Sequence, residues 1–517
     1  MNFDYIIVGA GTSGCVIANE LSKKGYSVGL IEKGRQNFVK NFFNKFPNGT
    51  FLTLKNKYFT KNYQCEESKN LNFRKLDWPR GEIPGGCSAI NGLVYKRGAE
   101  NDFEYLIKNN KKINWELIKK FYLEIELELN INTISSNHSQ KNSKNKITET
   151  FLQTLKNLKY YIYKSFVEND FTKSFIAGNY DLTLKNKQRT YAVNFLRNSN
   201  VKLIEGCDVK KIIFEQNKAI GVIFQIGKKE KKFFANKEII ISAGVINTPK
   251  ILQLSGIGDQ KHIEHLGIKC IFNNYLVGEN LRDHLQTKII YETKSKKNFN
   301  YLLKNKLAML VELLKYFFNK DSLFNEGAIK AGAFCNLNDD KKYEYQLNLL
   351  LASGIDVNSI DKFNGLTISV NTLNPESKGF VKIKSNNFLK DPIIFPNYFS
   401  DKNNKDIQKH IDGIKEIREI ANTKPFKDIL IKERIPGASC KTDSQISEFI
   451  KNYSTTIYHH TGTCKFGSKD NGVVDQNFSV YGVNNLRICD ASLMPRSING
   501  NTAATCYVLG KILANIL

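Results

Sequence analysis

A glycine-rich loop near the start of the chain, formed by Gly9, Gly11 and Gly14, has the residue types and spacing that bind phosphates. The first glycine permits a tight turn, the second lets the backbone approach a pyrophosphate, and the third lets a helix pack closely on a strand. A helix that starts here would offer free N–H groups and the positive end of its dipole to the phosphates. The loop therefore predicts a dinucleotide site; the alternative is a glycine-rich turn that binds nothing.

The elements expected around this loop favour the dinucleotide interpretation. An apolar strand at 3–8 leads into the loop, a helix follows from Cys15, and a second strand at 27–32 ends at Glu32. An acidic residue roughly twenty residues past the glycines can bind both hydroxyls of an adenosine ribose. Strand, helix and acid together predict a Rossmann-like domain.

The rest of the chain predicts a second domain. A length of 517 residues is more than one hydrophobic core usually supports. Glycines return at 78–92, as a backbone laid against a flat ligand requires. We predict strands at 201–205, 209–214, 219–224 and 237–244, and a surface loop at 135–148. We predict helices at 101–109, 115–129 and 247–256, the last with Pro249 in its first turn. A second sheet with helices, including one at 406–420, is expected within 285–450.

Composition argues against several other classes of protein. The net charge of +26 comes from lysines spread along the whole chain, with no aromatic-interleaved basic stripe, so we expect no nucleic-acid partner. The sequence has no metal-ligand spacing, and its ten cysteines form no CxxC pair. Scattered thiols and a first strand that begins at Phe3 predict a cytoplasmic enzyme without a targeting segment.

The apolar run at 307–318 is too short and too interrupted to span a bilayer. We expect a buried amphipathic helix there. Peripheral contact with a membrane surface stays open as the alternative.

Four motifs occur in order along the chain: the glycine loop, 79–92, 242–258, and a C-terminal block that includes Tyr-His-His-Thr-Gly-Thr at 458–463 and Gly-Asn-Thr at 500–502. The segment 277–284 fits the same pattern. Together they resemble the glucose–methanol–choline (GMC) oxidoreductases, a family of FAD-dependent alcohol oxidases and dehydrogenases. The likeness extends over essentially the whole chain.

The resemblance implies an α/β fold with two interleaved domains. The Rossmann-like FAD-binding domain would comprise 1–35, 78–100, 200–284 and 455–517. The α+β substrate-binding domain, an antiparallel sheet with helices, would comprise 36–77, 101–199 and 285–454. The resemblance implies that FAD contacts a set of residues from four regions: Gly9, Gly11, Thr12, Ser13, Gly14, Glu32, Gly86, Asn91, Gly92, Leu93, Val94, Val209, Asp490, Ala491 and Thr502.

The resemblance also implies the catalytic pair His459 and Asn501. A histidine can take the hydroxyl proton of an alcohol, and an asparagine can hold the same oxygen without titrating. His460 stands where the family commonly has proline, and we expect it to support the site or to be merely structural. His284 is expected to be structural and remote from the chemistry.

Two departures from the family pattern carry expectations of their own. Ile90 replaces the histidine that links FAD covalently in some members, which predicts a non-covalent cofactor. Lys330 aligns with an acidic position of choline-oxidising members, where it would repel choline.

The implied activity is oxidation of an alcohol to a carbonyl compound by hydride transfer to flavin N5. The reduced flavin would pass its electrons to a quinone, another carrier or oxygen. Two alternatives remain: choline oxidation to betaine aldehyde, and a non-redox lyase or photodecarboxylase. The sequence leaves the alcohol and the oligomeric state open.

Overall fold

The computed structural model describes residues 1–131, 145–168, 173–318, 322–325, 327–336, 343–355 and 359–517. Its α-helices are α1 (Thr12–Lys23), α2 (Phe38–Lys45), α3 (Thr50–Thr53), α4 (Glu104–Asn109), α5 (Trp115–Leu129), α6 (Lys146–Asn157), α7 (Gly244–Leu254), α8 (Gln260–His265), α9 (Phe299–Lys304), α10 (Lys306–Phe317), α11 (Lys405–Asn422), α12 (Phe426–Ile429), α13 (Asp443–Tyr453) and α14 (Thr502–Ile516).

The strands are β1 (Asn2–Val8), β2 (Val28–Glu32), β3 (Thr60–Gln64), β4 (Asp77–Gly81), β5 (Val94–Tyr95), β6 (Tyr161–Tyr163), β7 (Phe175–Asn179), β8 (Asp181–Leu182), β9 (Leu184–Lys185), β10 (Gln188–Arg189), β11 (Lys202–Glu205), β12 (Cys207–Glu215), β13 (Lys218–Ile226), β14 (Lys229–Ile241), β15 (Ile257–Gly258), β16 (Phe272–Asn273), β17 (Glu279–Leu281), β18 (Leu285–Thr293), β19 (Ile329–Cys335), β20 (Tyr345–Leu350), β21 (Gly365–Thr372), β22 (Gly379–Lys382), β23 (Ile393–Phe395), β24 (Leu430–Ile435), β25 (Thr455–Thr456) and β26 (Leu486–Ile488).

The first large sheet has the strand order β11-β2-β1-β14-β13-β12, and β26 also pairs with β14. Pairing is parallel from β11 to β14 and between β14 and β26, whereas β14, β13 and β12 form an antiparallel meander. Every residue of β2 is buried, as expected for a parallel strand covered on both faces. The carboxyl ends of β1, β2 and β14 therefore meet at one edge, where α/β sheets bind ligands.

The second large sheet has the order β24-β18-β21-β20-β19-β7-β6, with β25 added to β18. It is antiparallel except for the β6–β7 pair. Its inner strand β21 is buried throughout, and α11 packs against it. The α/β fold class predicted from the sequence is confirmed. The strands of the two sheets fall within the predicted segments, except that β25 joins the second sheet although 455–517 was assigned to the first domain.

Three local predictions need correction. The last residues of the predicted loop 135–148 open α6, because Asn145 caps that helix by accepting a hydrogen bond from the Ile147 N–H; residues 132–144 lie outside the described residues. The run at 307–318 forms α10, but none of its residues is buried. Helix α7 begins at Gly244, so that Pro249 lies in its second turn rather than its first.

Candidate active site

A cleft with a volume of about 430 Å³ runs between the carboxyl edge of the first sheet and the second sheet. It is lined by the glycine loop, by the segment 86–94, by the start of α7 and by the C-terminal motifs. The second sheet contributes side chains of β18, β19 and β20. The cleft therefore has one wall in each of the two sheet regions.

The three glycines of the loop serve three different needs. Gly9 has a φ of +105°, and a Cβ there would lie 2.4 Å from the Ser242 carbonyl oxygen. A Cβ on Gly14 would lie 2.0 Å from the Gly9 oxygen, so this glycine serves helix–strand packing and does not line the cleft. A Cβ on Gly11 would lie 3.9 Å from the nearest protein atom, the Ser242 carbonyl oxygen. The Gly11 backbone is therefore open to the cleft, which Thr12 and Ser13 also line.

Glu32 lies at the carboxyl end of β2 and lines the cleft, although only 7% of it is exposed. Its two carboxylate oxygens accept hydrogen bonds from the Ala10 and Gly34 N–H groups, at 2.9 and 2.8 Å. Burial raises the pKa of Glu32 to about 7, despite these two hydrogen bonds. The residue thus braces the loop and faces the place where a ribose is expected.

The segment 86–94 forms a floor of the cleft. Gly86, Asn91, Gly92 and Val94 line it, but Leu93 does not. Leu93 has a φ of +69° and its side chain packs in a cluster with Phe166, Tyr180 and Phe334, so a side-chain contact of Leu93 with the cofactor is not available.

Arg189 holds this segment in place. Its guanidinium donates to the Asn91 Oδ1 at 2.7 Å and to the Thr50 hydroxyl at 2.9 Å. Arg189 was not predicted from the sequence, because no local pattern marks a buried arginine on a two-residue strand.

The predicted residues Val209, Asp490, Ala491 and Thr502 also line the cleft. The Asp490 carboxylate accepts hydrogen bonds from the Gly244 N–H, the Thr248 hydroxyl and the Ser492 N–H. These bonds fix the start of α7 against the C-terminal block. Three further residues, Ser242, Ala243 and Gly244, line the cleft, although they were not predicted as cofactor contacts.

His459 and Asn501 meet at the cleft. The Asn501 Nδ2 lies 3.2 Å from the His459 Nε2, and the His459 Nδ1 lies 3.1 Å from the Nδ1 of His284. An amide nitrogen can only donate, so the His459 Nε2 accepts and its proton sits on Nδ1. That Nδ1–H donates to His284. The expectation that His284 is remote from the chemistry is therefore wrong: it fixes the tautomer of His459.

His460 points to a different set of partners. Its ring packs on the Trp78 ring with centroids 3.5 Å apart, and its Nε2 lies 3.4 Å from the Asp283 carboxylate. Asp283 also accepts a hydrogen bond from the His459 backbone N–H at 3.1 Å and one from the Tyr398 hydroxyl at 2.5 Å. Asp283 thus positions the backbone of the histidine pair, and only His459 contacts Asn501.

Electrostatics keep these histidines neutral. Burial, and to a smaller extent the nearby Arg80 guanidinium, lower the pKa of His459 well below its ordinary value. Burial lowers the pKa of His284 to about 3. An uncharged His459 is ready to accept a proton.

The substrate side of the cleft carries Phe51, Leu54, Gln286, Lys288, Ala328, Ile329, Asn348, Leu350 and Ile457. Lys330 is not among the lining residues; the lysine of the second sheet that lines the cleft is Lys288 on β18. Of the described residues that line the cleft, the acidic ones are Glu32, Glu82, Asp208 and Asp490. All four belong to the first-sheet side. Lys33 lies 3.3 Å from both Glu82 and Asp208.

The cleft fits a flat dinucleotide. A Cβ at Gly92 or Gly244 would meet no atom within 4 Å, so these glycines, like Gly11, leave room along the cleft that side chains would fill. The buried Ser242 hydroxyl has no hydrogen-bond partner and also lines the cleft. No helix among the described residues is long and apolar enough to cross a membrane, and no group of three His, Cys, Asp or Glu residues there could hold a metal ion.

Fold and cleft together define an α/β dinucleotide-binding enzyme with a neutral histidine at the substrate end. Models of the GMC oxidoreductase family match residues 3–286 and 375–510, and the chain belongs to this family. The prediction of an FAD-dependent oxidoreductase that acts on alcohol-type substrates is thereby confirmed.

Two relatives align over the whole chain. An alcohol dehydrogenase [acceptor] of Pseudomonas putida is 31% identical, with 95% of that protein covered. An oxygen-dependent choline dehydrogenase of Vibrio vulnificus is 30% identical, with 94% covered. Among solved structures, a formate oxidase variant of Aspergillus oryzae has a TM-score of 0.90 at 21% identity, with 100% of this chain and 98% of that chain covered. The latter similarity concerns the fold alone.

Proposed function

We propose that this enzyme oxidises a neutral alcohol to a carbonyl compound, with His459 as the base and Asn501 as the group that binds the alcohol oxygen. The observation that carries this proposal is the unprotonated Nε2 of His459, which faces the Asn501 amide nitrogen at 3.2 Å at the cleft. An alcohol hydroxyl that replaces this direct contact donates its proton to His459 Nε2 and accepts a hydrogen bond from Asn501 Nδ2. When bound, FAD supplies the acceptor for the hydride that leaves the alcohol carbon.

The surroundings of His459 support its role as base. Taking up the proton makes the ring a buried cation, which is costly without a partner. The Nδ1–H is already directed at the lone pair of His284, so the ring cannot turn away as its charge develops. General bases of this kind typically contribute on the order of 10²–10⁴-fold to the rate.

The charges that line the cleft argue for a neutral substrate. A quaternary ammonium is usually recognised by aromatic faces or by a carboxylate. On the substrate side of the described cleft there is no carboxylate, and Lys288 would repel a cation. We therefore place choline second to a neutral, partly apolar alcohol.

The electron acceptor in this proposal is a quinone or another organic carrier rather than oxygen. The support is the Pseudomonas relative, which is named as an alcohol dehydrogenase with an acceptor. Reoxidation of the alcohol-reduced enzyme by a quinone analogue, compared with reoxidation by oxygen, tests this part separately.

The central experiment mixes the FAD-loaded enzyme with a panel of alcohols, without oxygen and in the dark, and follows flavin absorbance. Neutral alcohols should bleach the flavin faster than choline does. His459→Ala should retain FAD and slow bleaching roughly 10²-fold or more. His460→Ala is the matched control and should cost far less.

Three results would count against the proposal. Faster bleaching by choline would overturn the substrate class, and chemistry that requires light would indicate a photochemical enzyme. If His460→Ala proved the slower variant, the histidines would have been assigned the wrong way round.

A further inference from the structure

A broad apolar surface remains exposed on the helices that adjoin the cleft. We call it the apolar surface; it comprises Phe38, Val39, Phe42, Leu52, Leu303, Leu307, Leu310, Val311, Leu314, Phe317 and Phe318. Phe38 is 86% exposed, Phe318 73% and Leu307 72%. Soluble proteins seldom expose so many large apolar side chains together unless the surface binds something.

Helix α10 shows the feature most clearly because it is apolar on two sides. Ala308, Met309, Leu313 and Tyr316 pack on the core of the second domain. The exposed residues Leu307, Leu310, Leu314 and Phe317 of α10 recur every three or four positions, which is the spacing of one helix face. A helix that is apolar all round is ordinarily buried, so the outer face needs a second cover.

The apolar surface lies beside the wall of the cleft. Phe46, which directly follows α2, contacts Tyr316 of α10 with ring centroids 4.9 Å apart. The chain then continues through Pro47, Asn48, Thr50 and Phe51, all of which line the cleft. Helices α2 and α10, which carry most residues of the apolar surface, therefore approach each other next to the substrate side.

Basic residues accompany the apolar ones. Residues 34–46 contain three basic side chains and no acidic one: Arg35, Lys40 and Lys45. Residues 296–318 contain five lysines and one acid, Glu312, whose carboxylate is bound by Lys315 and the Leu323 N–H. Interfacial helices combine an apolar face with lysines in this way, since the lysines reach anionic lipid headgroups.

A second copy of the chain is a poorer occupant for this surface. In a symmetric dimer the same patch would face itself, which would bring the lysines of one subunit against those of the other. Anionic headgroups instead neutralise them.

We propose that the apolar surface docks this enzyme on the face of an anionic lipid bilayer. Docking would place the cleft where apolar alcohols and membrane-dissolved acceptors are concentrated. The proposal concerns the surface alone and does not depend on the reaction proposed above.

Vesicle flotation of the FAD-loaded enzyme tests the proposal. The enzyme should float with vesicles that contain about one third phosphatidylglycerol, and much less with phosphatidylcholine alone. Binding should weaken in about 1 M salt, where the screening length falls to ~3 Å. Leu307→Ser/Leu310→Ser/Leu314→Ser should lower the partition coefficient at least tenfold, and Lys304→Glu/Lys306→Glu should lower it too.

The matched control is Leu127→Ser, because Leu127 is 82% exposed on α5, outside the apolar surface. It should float like the wild type. FAD content and activity with a soluble acceptor report whether each variant is folded. As a gain-of-signal test, brominated lipid should quench the tryptophan fluorescence that Leu314→Trp adds to the enzyme.

Several outcomes would overturn the proposal. The proposal is wrong if the wild type does not float with anionic vesicles, or if the triple leucine variant floats as well as the wild type. It is also wrong if brominated lipid does not quench the fluorescence that Leu314→Trp adds. Sedimentation without lipid tests whether a second copy of the chain covers the apolar surface instead. A wild-type dimer that the triple leucine variant converts to a monomer would show that the surface is a dimer interface.

Discussion

Removing His284 should slow the reaction through His459 without disturbing the cofactor. In His284→Ala the Nδ1–H of His459 loses its acceptor at 3.1 Å, and both residues are buried. A buried donor left unpaired costs about 1–3 kcal/mol. If this cost falls on the productive orientation of His459, kcat/KM drops by roughly 5- to 150-fold, since each 1.36 kcal/mol is tenfold in rate.

The same substitution should move the pH profile. A base is active when neutral, so activity is lost as the pH falls through its pKa. The pKa of wild-type His459 lies well below its ordinary value, which puts the acid limb of kcat/KM below pH 6.5. The neutral His284 accepts the hydrogen bond of the His459 Nδ1–H and thereby favours the protonated ring. Without this acceptor, His284→Ala should lower the pKa of His459 further and shift the acid limb to lower pH.

Two further variants make the test specific. His284→Asn keeps an acceptor near the former Nδ1 and should recover most of the rate. His410→Ala removes another fully buried histidine, whose partners are the Thr287 and Thr372 hydroxyls, and controls for a general loss of packing. The predicted role of His284 is wrong if His284→Ala matches His410→Ala in rate and pH profile, or if His284→Asn recovers none of the lost rate.

Three other predictions concern the cofactor. Acid precipitation of the purified enzyme should release FAD into the supernatant, since Ile90 offers no linking histidine; a yellow pellet would contradict this. Glu32→Ala should raise the dissociation constant of FAD in titrations of the apoprotein, because charge-assisted hydrogen bonds to a ribose are typically worth roughly 1.5–3 kcal/mol. The control Glu82→Ala removes a carboxylate that is already paired with Lys33, and it should raise the dissociation constant less. Gly11→Ala should fold normally and bind FAD poorly, whereas Gly14→Ala should lower the melting temperature, because only the second Cβ would clash with protein atoms; equal melting temperatures would refute this distinction.

The dinucleotide loop could be predicted because its residues interact mainly with residues close to them in the sequence. Gly9, Gly14 and Glu32 act on atoms within one strand–helix–strand unit, so their spacing along the chain nearly specifies their geometry. Leu93 shows where local reasoning stops. Its backbone has a positive φ, which sends the side chain into the apolar cluster of the second domain, and nothing in the neighbouring residues indicates this.

The parts of the site that escaped prediction depend on distant contacts. His284 meets His459 across 175 residues, and Arg189 meets Asn91 across 98. Helix α10 was misjudged for a related reason: its apolar pattern is the same whether one face or both are covered. Periodicity indicates a helix, but it does not say what lies against each face.

Pro249 gives the clearest example of a rule overridden by tertiary structure. Prolines favour the first turn of a helix, where no hydrogen bond is lost, and this led to a predicted start at 247. The helix begins at Gly244 instead, so Pro249 leaves the carbonyl of Val245 without its helical donor. The buried hydroxyl of Thr463 donates to that carbonyl at 2.7 Å. Because Thr463 belongs to the same motif as His459, the interrupted helix bond ties the cofactor-facing end of α7 to the segment that carries the base.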